Sequence, residues 1–182
     1  MKEFFKREAI LVSSMADLPA FVDFCQRHSR FIAKDDTGGC GVGVKIIEVS
    51  EIRDYSNALS ELVNRGSWIL EELIQQHPAL AEFNPTSVNT VRFPSFRHGD
   101  KVVPAYPLFR FGRDGSIVDN ASQGGLFVSL DVDSGTIITD AFDEHGHRFV
   151  NHPDNGKEFK GCMIPQWFSL LGLAKAIHLS LP

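Results

Sequence analysis

Four glycines, Gly38, Gly39, Gly41 and Gly43, fall within six positions of the string TGGCGVG at residues 37–43. Glycine accepts positive φ and lets backbone N–H groups come close to a ligand, which is what a phosphate cradle requires. Lys34, three residues upstream, offers a countercharge. The string fits neither GxxxxGK[ST] nor a GxGxxG that opens a helix, because β-branched residues follow it. It suits a ligand-free hairpin tip equally well, and the loop alone does not decide. A second group, Asp143, His145, His147, His152 and Asp154, concentrates imidazoles and carboxylates. On a strand, His145 and His147 would share a face and offer a chelate for zinc or another divalent ion; with turn signals all round, the same residues make a polar hairpin tip. Glu71 and Glu72 sit in the middle of the strand-like WILEELI, where the plain reading is a solvated edge.

Such groups need elements to position them. A chain of 182 residues buries roughly two thirds of its unfolded surface, enough for one domain or two small lobes. With 43% hydrophobic and 23% charged residues, disordered and collagen-like chains are excluded. Eighteen Lys and Arg against 23 Asp and Glu leave a net charge of -5. No global basic field recruits nucleic acid, so any phosphate site must be local. Cys25, Cys40 and Cys162 are odd in number and form no CxxC pair, which points to a reducing compartment. The apolar runs fall well short of the ~20 residues that cross a bilayer, and the charged start MKEFFKREAIL is unlike a signal peptide. A cytoplasmic protein without membrane or nucleic-acid partners is expected.

Hydrophobic patterning predicts an α+β fold of two sublobes, residues 1–84 and 85–182, with mainly antiparallel sheets. In the first, Asp17 caps a helix carrying Leu18, Phe21, Val22, Cys25 and His28. Strand RFIAKD (30–35) and strand VKIIEV then flank the glycine loop as a hairpin, helix 55–65 ends at Gly66, and strand 68–74 follows. The second lobe predicts strands at 88–96, 102–111, 116–119, 126–131, 136–142 and 147–150. A closing helix, 166–179, should cover their sheet with Trp167, Leu170, Leu171, Ala174 and Ile177. If the hairpin turns symmetrically about Gly99, Arg92 and Arg110 share a face with Leu108, away from Phe93, Phe109 and Phe111. A two-residue Gly99-Asp100 turn puts them on opposite faces. The symmetric register is the expectation.

Taken in order, FIAKD, TGGCGVG, ILEEL, NTVR, Arg110 and DNASQGG resemble the ATP-grasp superfamily. The strings EELIQQHPALAEFNPTSVNTVR, RFGRDGSIVDNASQGG and HPDNGKEFKGCMIP resemble its sugar-transfer-associated branch, over about residues 18–181. The resemblance implies two α+β lobes holding ATP between them. It also implies a carboxylate–amine or related ligase, working through an acyl phosphate beside polysaccharide biosynthesis, with ATP and Mg²⁺ as cofactors and an unidentified small-molecule acceptor. Residue by residue, it gives Lys34 to the ATP phosphates and makes Thr37, Gly38, Gly39, Gly41 and Gly43 the loop that closes over them. Glu71 and Glu72 fall at the hinge, where backbone groups of Glu72, Leu73 and Ile74 read adenine. Arg92 and Arg110 face the transferring phosphate and the substrate carboxylate, groups that guanidinium holds bidentately. Asn120, with Gly124 and Gly125, matches an Asn-plus-GG loop; an Asx turn after Asp119 is the alternative.

In the family the main Mg²⁺ ligands, an Asp and then Glu-x-Asn on two strands, follow a helix like 166–179, and no such pair follows that helix in this sequence. A preceding lobe is also expected and not present. The expectation is therefore an incomplete catalytic unit with weak nucleotide binding, an under-supported closing helix and self-association through the sheet lobe. A non-catalytic interaction domain and the His/Asp metal module are the alternatives.

Overall fold

The computed structural model describes residues 4–181. Contacts divide them into one unit spanning Lys6–Ile74 and another that takes the chain from Gln75 onward.

The first unit is a four-stranded antiparallel sheet of β1 (Ala9–Val12), β2 (Arg30–Asp35), β3 (Val44–Glu48) and β4 (Trp68–Glu72), with helices α1 (Leu18–Arg27) and α2 (Tyr55–Val63). Its spatial order is β1-β4-β2-β3. Strand alternation decides what each face carries. Val12, Phe31, Ala33, Trp68 and Leu70 pack against Phe21, Phe24, Cys25, Leu59 and Leu62 of the helices, and burial pushes the Cys25 thiol up to about 11. Trp68 donates its indole N–H to the Leu62 carbonyl at 2.8 Å, tying β4 to α2. The β2–β3 hairpin around the glycine loop forms as expected, with Lys34 opposite Val44. Asp17 lies at the start of α1 but does not cap it. Its carboxylate instead accepts the Ser13 and Ser14 N–H groups at 2.8 and 3.0 Å, in a capping box for the short 3-10 turn Met15–Asp17.

The second unit contains α3 (Pro78–Ala81), β5 (Thr90–Arg92), β6 (Ser95–His98), β7 (Lys101–Pro104), β8 (Leu108–Phe111), β9 (Leu126–Ser129), β10 (Ala141–Phe142), β11 (Arg148–Phe149) and α4 (Trp167–Ser180). A five-stranded sheet has the order β11-β10-β9-β8-β5, and β6 pairs with β7 as a separate ribbon. The two long strands expected at 88–96 and 102–111 are each broken, at Pro94 and around Pro107, where proline cannot donate to a ladder. Residues 116–119 form no strand, because the Ser116 carbonyl accepts from the Asn84 and Thr86 side chains. Phe83, Phe109, Phe111, Leu126, Val128, Ala141, Phe159 and Trp167 make the core.

The symmetric hairpin register needs correcting. His98 pairs with Lys101, so the turn is the two-residue Gly99-Asp100, with Gly99 at φ +58°. Residues 93–94 link β5 to β6, whereas 105–107 link β7 to β8. The extra residue, in a stretch where Tyr106 takes φ +47°, moves the pairing on by one. β5 therefore meets β8 with Thr90 opposite Arg110 and Arg92 opposite Leu108. The two arginines share the Leu108 face after all, while Phe109 and Phe111 are fully buried.

The expected inner face of α4 is the less exposed one, but only Trp167 and Leu170 reach the sheet core. Further along, the helix lies on the β6–β7 ribbon, where the Ser95 hydroxyl meets His178 Nδ1 and Arg97 donates to the Leu181 carbonyl at 3.0 Å. The first turn of the helix thus packs on the five-stranded sheet, and the rest covers the ribbon.

Candidate functional site

In the first unit, the sheet face turned away from α1 and α2 carries Ile32, Lys34, Ile46, Ile69 and Glu71, as the pairs Ile32–Glu71, Ile32–Ile46 and Lys34–Ile69 require. Lys34 Nζ lies 2.7 Å from Glu71 Oε2, and Arg7 Nη1 reaches the same oxygen at 2.9 Å. Glu71 is 8% exposed, so the solvated-edge reading does not hold for it. Holding two cations on one oxygen, this nearly buried carboxylate fixes where the Lys34 ammonium sits. Arg7 is a member that sequence reasoning missed, since its partner lies 64 residues away.

The loop after β2 is built by Asp35. Its carboxylate accepts the Thr37 hydroxyl at 2.7 Å and the Thr37 N–H at 2.8 Å, which hold it below the usual carboxylate range. Gly38 donates to the Asp35 carbonyl, and a Cβ on Gly38 would meet Val42 O at 3.0 Å. Gly43 takes φ +76° against Asp35 Cβ. Those two glycines are needed by the turn itself. Gly39 has open space where a Cβ would be, and the N–H groups of Gly39 and Gly41 have no partner among the described residues. Cys40 also adopts positive φ, +54°.

Glu72 differs from expectation. β4 ends there and is an interior strand, between β1 and β2, not an edge. The Glu72 N–H donates to the Glu8 carbonyl at 2.9 Å. Backbone available to a purine edge therefore begins at Leu73 and Ile74, which continue past the sheet.

In the second unit, Arg110 donates to the Thr90 hydroxyl from Nη2 at 2.9 Å and lies 3.4 Å from Asp119 Oδ1. Asp119 is 6% exposed and also accepts the Thr90 N–H at 3.1 Å and the Thr90 hydroxyl. Arg92 is exposed on the same face. Asn120 stands at the start of the 3-10 turn Ala121–Gln123, and its carbonyl accepts from Gln123 and Gly125 at 3.0 Å each. Gly124 takes φ +85°, and a Cβ on Gly125 would lie 2.5 Å from the Asp119 carbonyl. Gly125 thus packs tightly against Asp119, while Gly124 supplies the positive φ of the turn and has open space where a Cβ would be. Asp119 was visible in DNASQGG as the residue ahead of Asn120, nine residues after Arg110, but the Thr90 groups that hold its carboxylate come from a strand 29 residues away.

The NPTSVN string is a buried polar staple. Asn84 Nδ2 donates to Ser87 Oγ at 2.8 Å, Ser87 Oγ donates to Asn89 Oδ1 at 2.6 Å, and Gly112 N–H reaches both Ser87 Oγ and Asn89 Oδ1 at 3.2 Å. The one Glu-x-Asn string in the chain, Glu82-Phe83-Asn84, belongs to this staple. Glu82 pairs with Lys157 at 2.5 Å, Phe83 is in the core and Asn84 is buried. Nor do the histidines converge. Asp143 accepts the His145 and His147 N–H groups at 2.9 Å each and His147 Nδ1 at 2.8 Å, in a turn ahead of β11, so the shared strand face is absent. His152 is buried against Phe111 and Phe159, its Nδ1 accepting the Asp154 N–H at 3.2 Å. Among the described residues, no group of three or more His, Cys, Asp or Glu is arranged to hold a metal ion, and these residues give Mg²⁺ no ligand set. No helix among them is long and apolar enough to cross a membrane.

No curated protein matches the chain. Among solved structures, a D-alanyl-alanine synthetase A from Vibrio cholerae is similar over 95% of this chain, at 8% identity and a TM-score of 0.41. The chain spans 58% of that protein's length. The family model described as sugar-transfer associated ATP-grasp matches residues 9–182. With nearly the whole length matched, the chain belongs to the sugar-transfer associated ATP-grasp family.

Proposed function

We propose that the chain is the ATP-binding part of a carboxylate–amine or related ligase that works through an acyl phosphate and serves polysaccharide assembly in the cytoplasm. The observation that carries this reading is the open face of the first unit's sheet. Lys34 is fixed there by Glu71, beside a glycine loop whose Gly39 and Gly41 N–H groups are unengaged among the described residues. A polyphosphate needs this combination of a placed cation and free backbone donors. Ile32, Ile46 and Ile69 give the same face an apolar surface for a purine ring, with Leu73 and Ile74 beyond the sheet to read its edge. Arg92 and Arg110 would engage the transferring phosphate and the acceptor's carboxylate, and Asn120 would lie beside them.

Hydrogen exchange with and without saturating ATP and Mg²⁺ tests the nucleotide site. Residues 37–43 and 73–74 should gain protection. Unchanged exchange at both segments would remove the nucleotide reading.

A further inference from the structure

The register of the five-stranded sheet sets five side chains in one transverse row on the face away from the core. Thr90 stands opposite Arg110, Arg110 opposite Phe127, Phe127 opposite Phe142, and Phe142 opposite Arg148. The row therefore reads hydroxyl, guanidinium, phenyl, phenyl, guanidinium. The two rings lie 6.4 Å apart, inclined by 35°, and are only half-buried. On each side of the ring pair a guanidinium is held by a nearly buried carboxylate. Asp119 holds Arg110, while Asp140, 6% exposed, holds Arg148 and takes Lys160 Nζ at 2.9 Å. A guanidinium has five N–H donors, so a carboxylate on one side fixes its position and leaves donors for a ligand.

We infer that this row is the acceptor site, and that its ligand is a carbohydrate ring bearing an oxyanion at each end. Arg110 and Arg148 are three strand spacings apart, about 14 Å at ~4.8 Å per strand. A pyranose with a carboxylate on one side and a phosphate on the other fits within that span once two arginine side chains reach toward it. The C–H face of such a ring lies against an apolar aromatic floor, and each oxyanion meets a pre-positioned guanidinium fork. Inorganic phosphate uses one end only, and an uncharged sugar uses neither. The inference rests on the ligase reading only in calling the ligand an acceptor; the binding claim uses one unit's own residues.

Calorimetric titration without nucleotide tests it, using glucuronic acid 1-phosphate, glucuronic acid, glucose 1-phosphate and inorganic phosphate as probes. The doubly charged sugar should bind at least about tenfold more tightly than each singly charged sugar, and phosphate alone more weakly still. Arg148→Gln should remove the advantage of the second charge. Arg148→Lys keeps a cation for Asp140, so it should keep the melting temperature while losing most of that advantage. Phe142→Leu should weaken all three sugars and leave phosphate unchanged. Equal affinity for phosphate and for the sugars, no saturable binding by any probe, or a normal preference in folded Arg148→Lys would each overturn the proposal. Sugar binding without ATP binding would remove the nucleotide reading and leave this one standing, and the reverse result would do the opposite.

Discussion

Lys34 meets Glu71 at 2.7 Å across two neighbouring strands, on an oxygen that it shares with Arg7. The carboxylate is therefore the hub of the cluster, and the lysine is one of two spokes. Glu71→Ala strands two cations on a half-covered face and should cost about 2–4 kcal/mol of stability. Lys34→Ala leaves Arg7 in place to neutralise the carboxylate and should cost about 1 kcal/mol or less. Urea denaturation of the two variants checks the order.

Arg110 and Phe109 are neighbours in sequence with opposite surroundings. Phe109 is fully buried, and replacing it by Ala should cost about 3–5 kcal/mol. Arg110→Ala should cost much less stability but weaken binding of the doubly charged sugar about tenfold to hundredfold, the worth of a charge-assisted bidentate contact. Melting curves and titration with glucuronic acid 1-phosphate of both variants separate the effects. Equal destabilisation with intact affinity would show that the face assignment of β8 is wrong.

Gly112 leaves no room for a side chain. A Cβ there would lie 2.6 Å from the Val118 carbonyl, 2.7 Å from Asn84 Nδ2 and 2.8 Å from Ser87 Oγ. Gly112→Ala should destabilise the second unit by about 2–4 kcal/mol. Gly172, inside α4 with nothing within 4 Å, provides the control. Gly172→Ala should gain about 0.5–1 kcal/mol from helix propensity. Thermal denaturation reads both.

Burial holds the His152 imidazole below its ordinary value of 6.5, and its Nε2 has no partner among the described residues. The folded state thus binds fewer protons at this site than the unfolded chain does. Its contribution is fully present above pH 6.5 and is lost as the pH falls from there through the depressed folded value. Denaturation midpoints should drop over that acid range in the native protein. In His152→Gln that part of the drop should disappear, leaving only the carboxylate transitions at lower pH.

Strong local signals made part of this molecule readable. β2 and its hairpin follow from alternation in RFIAKD and the glycines after it, and the half-buried side of α4 follows from 3.6-residue periodicity. β1 carries no such signal. Its four residues are uniformly apolar, and its pairing with β4 is made some sixty positions later in the chain. The breaks in the second sheet were signalled by Pro94 and Pro107 but outweighed by the β-branched residues around them. In the site, Lys34 and the loop carry local motifs. The pairing of Arg7 with Glu71 exists only once distant strands meet, and the clamp that Thr90 places on Asp119 beside Arg110 likewise joins segments 29 residues apart.

The unequal links flanking the β6–β7 ribbon bear on how this chain can vary. Two residues on one side and three on the other keep Arg110 turned outward. Losing one residue from 105–107 would rotate β8 by half a turn, bringing Arg110 and Leu108 inward and Phe109 and Phe111 outward. The ribbon tip can lengthen freely, but this joint admits changes only in pairs. Among homologous chains, length differences should collect at Gly99-Asp100 and avoid 105–107, a pattern imposed by parity and independent of the identities of the residues there.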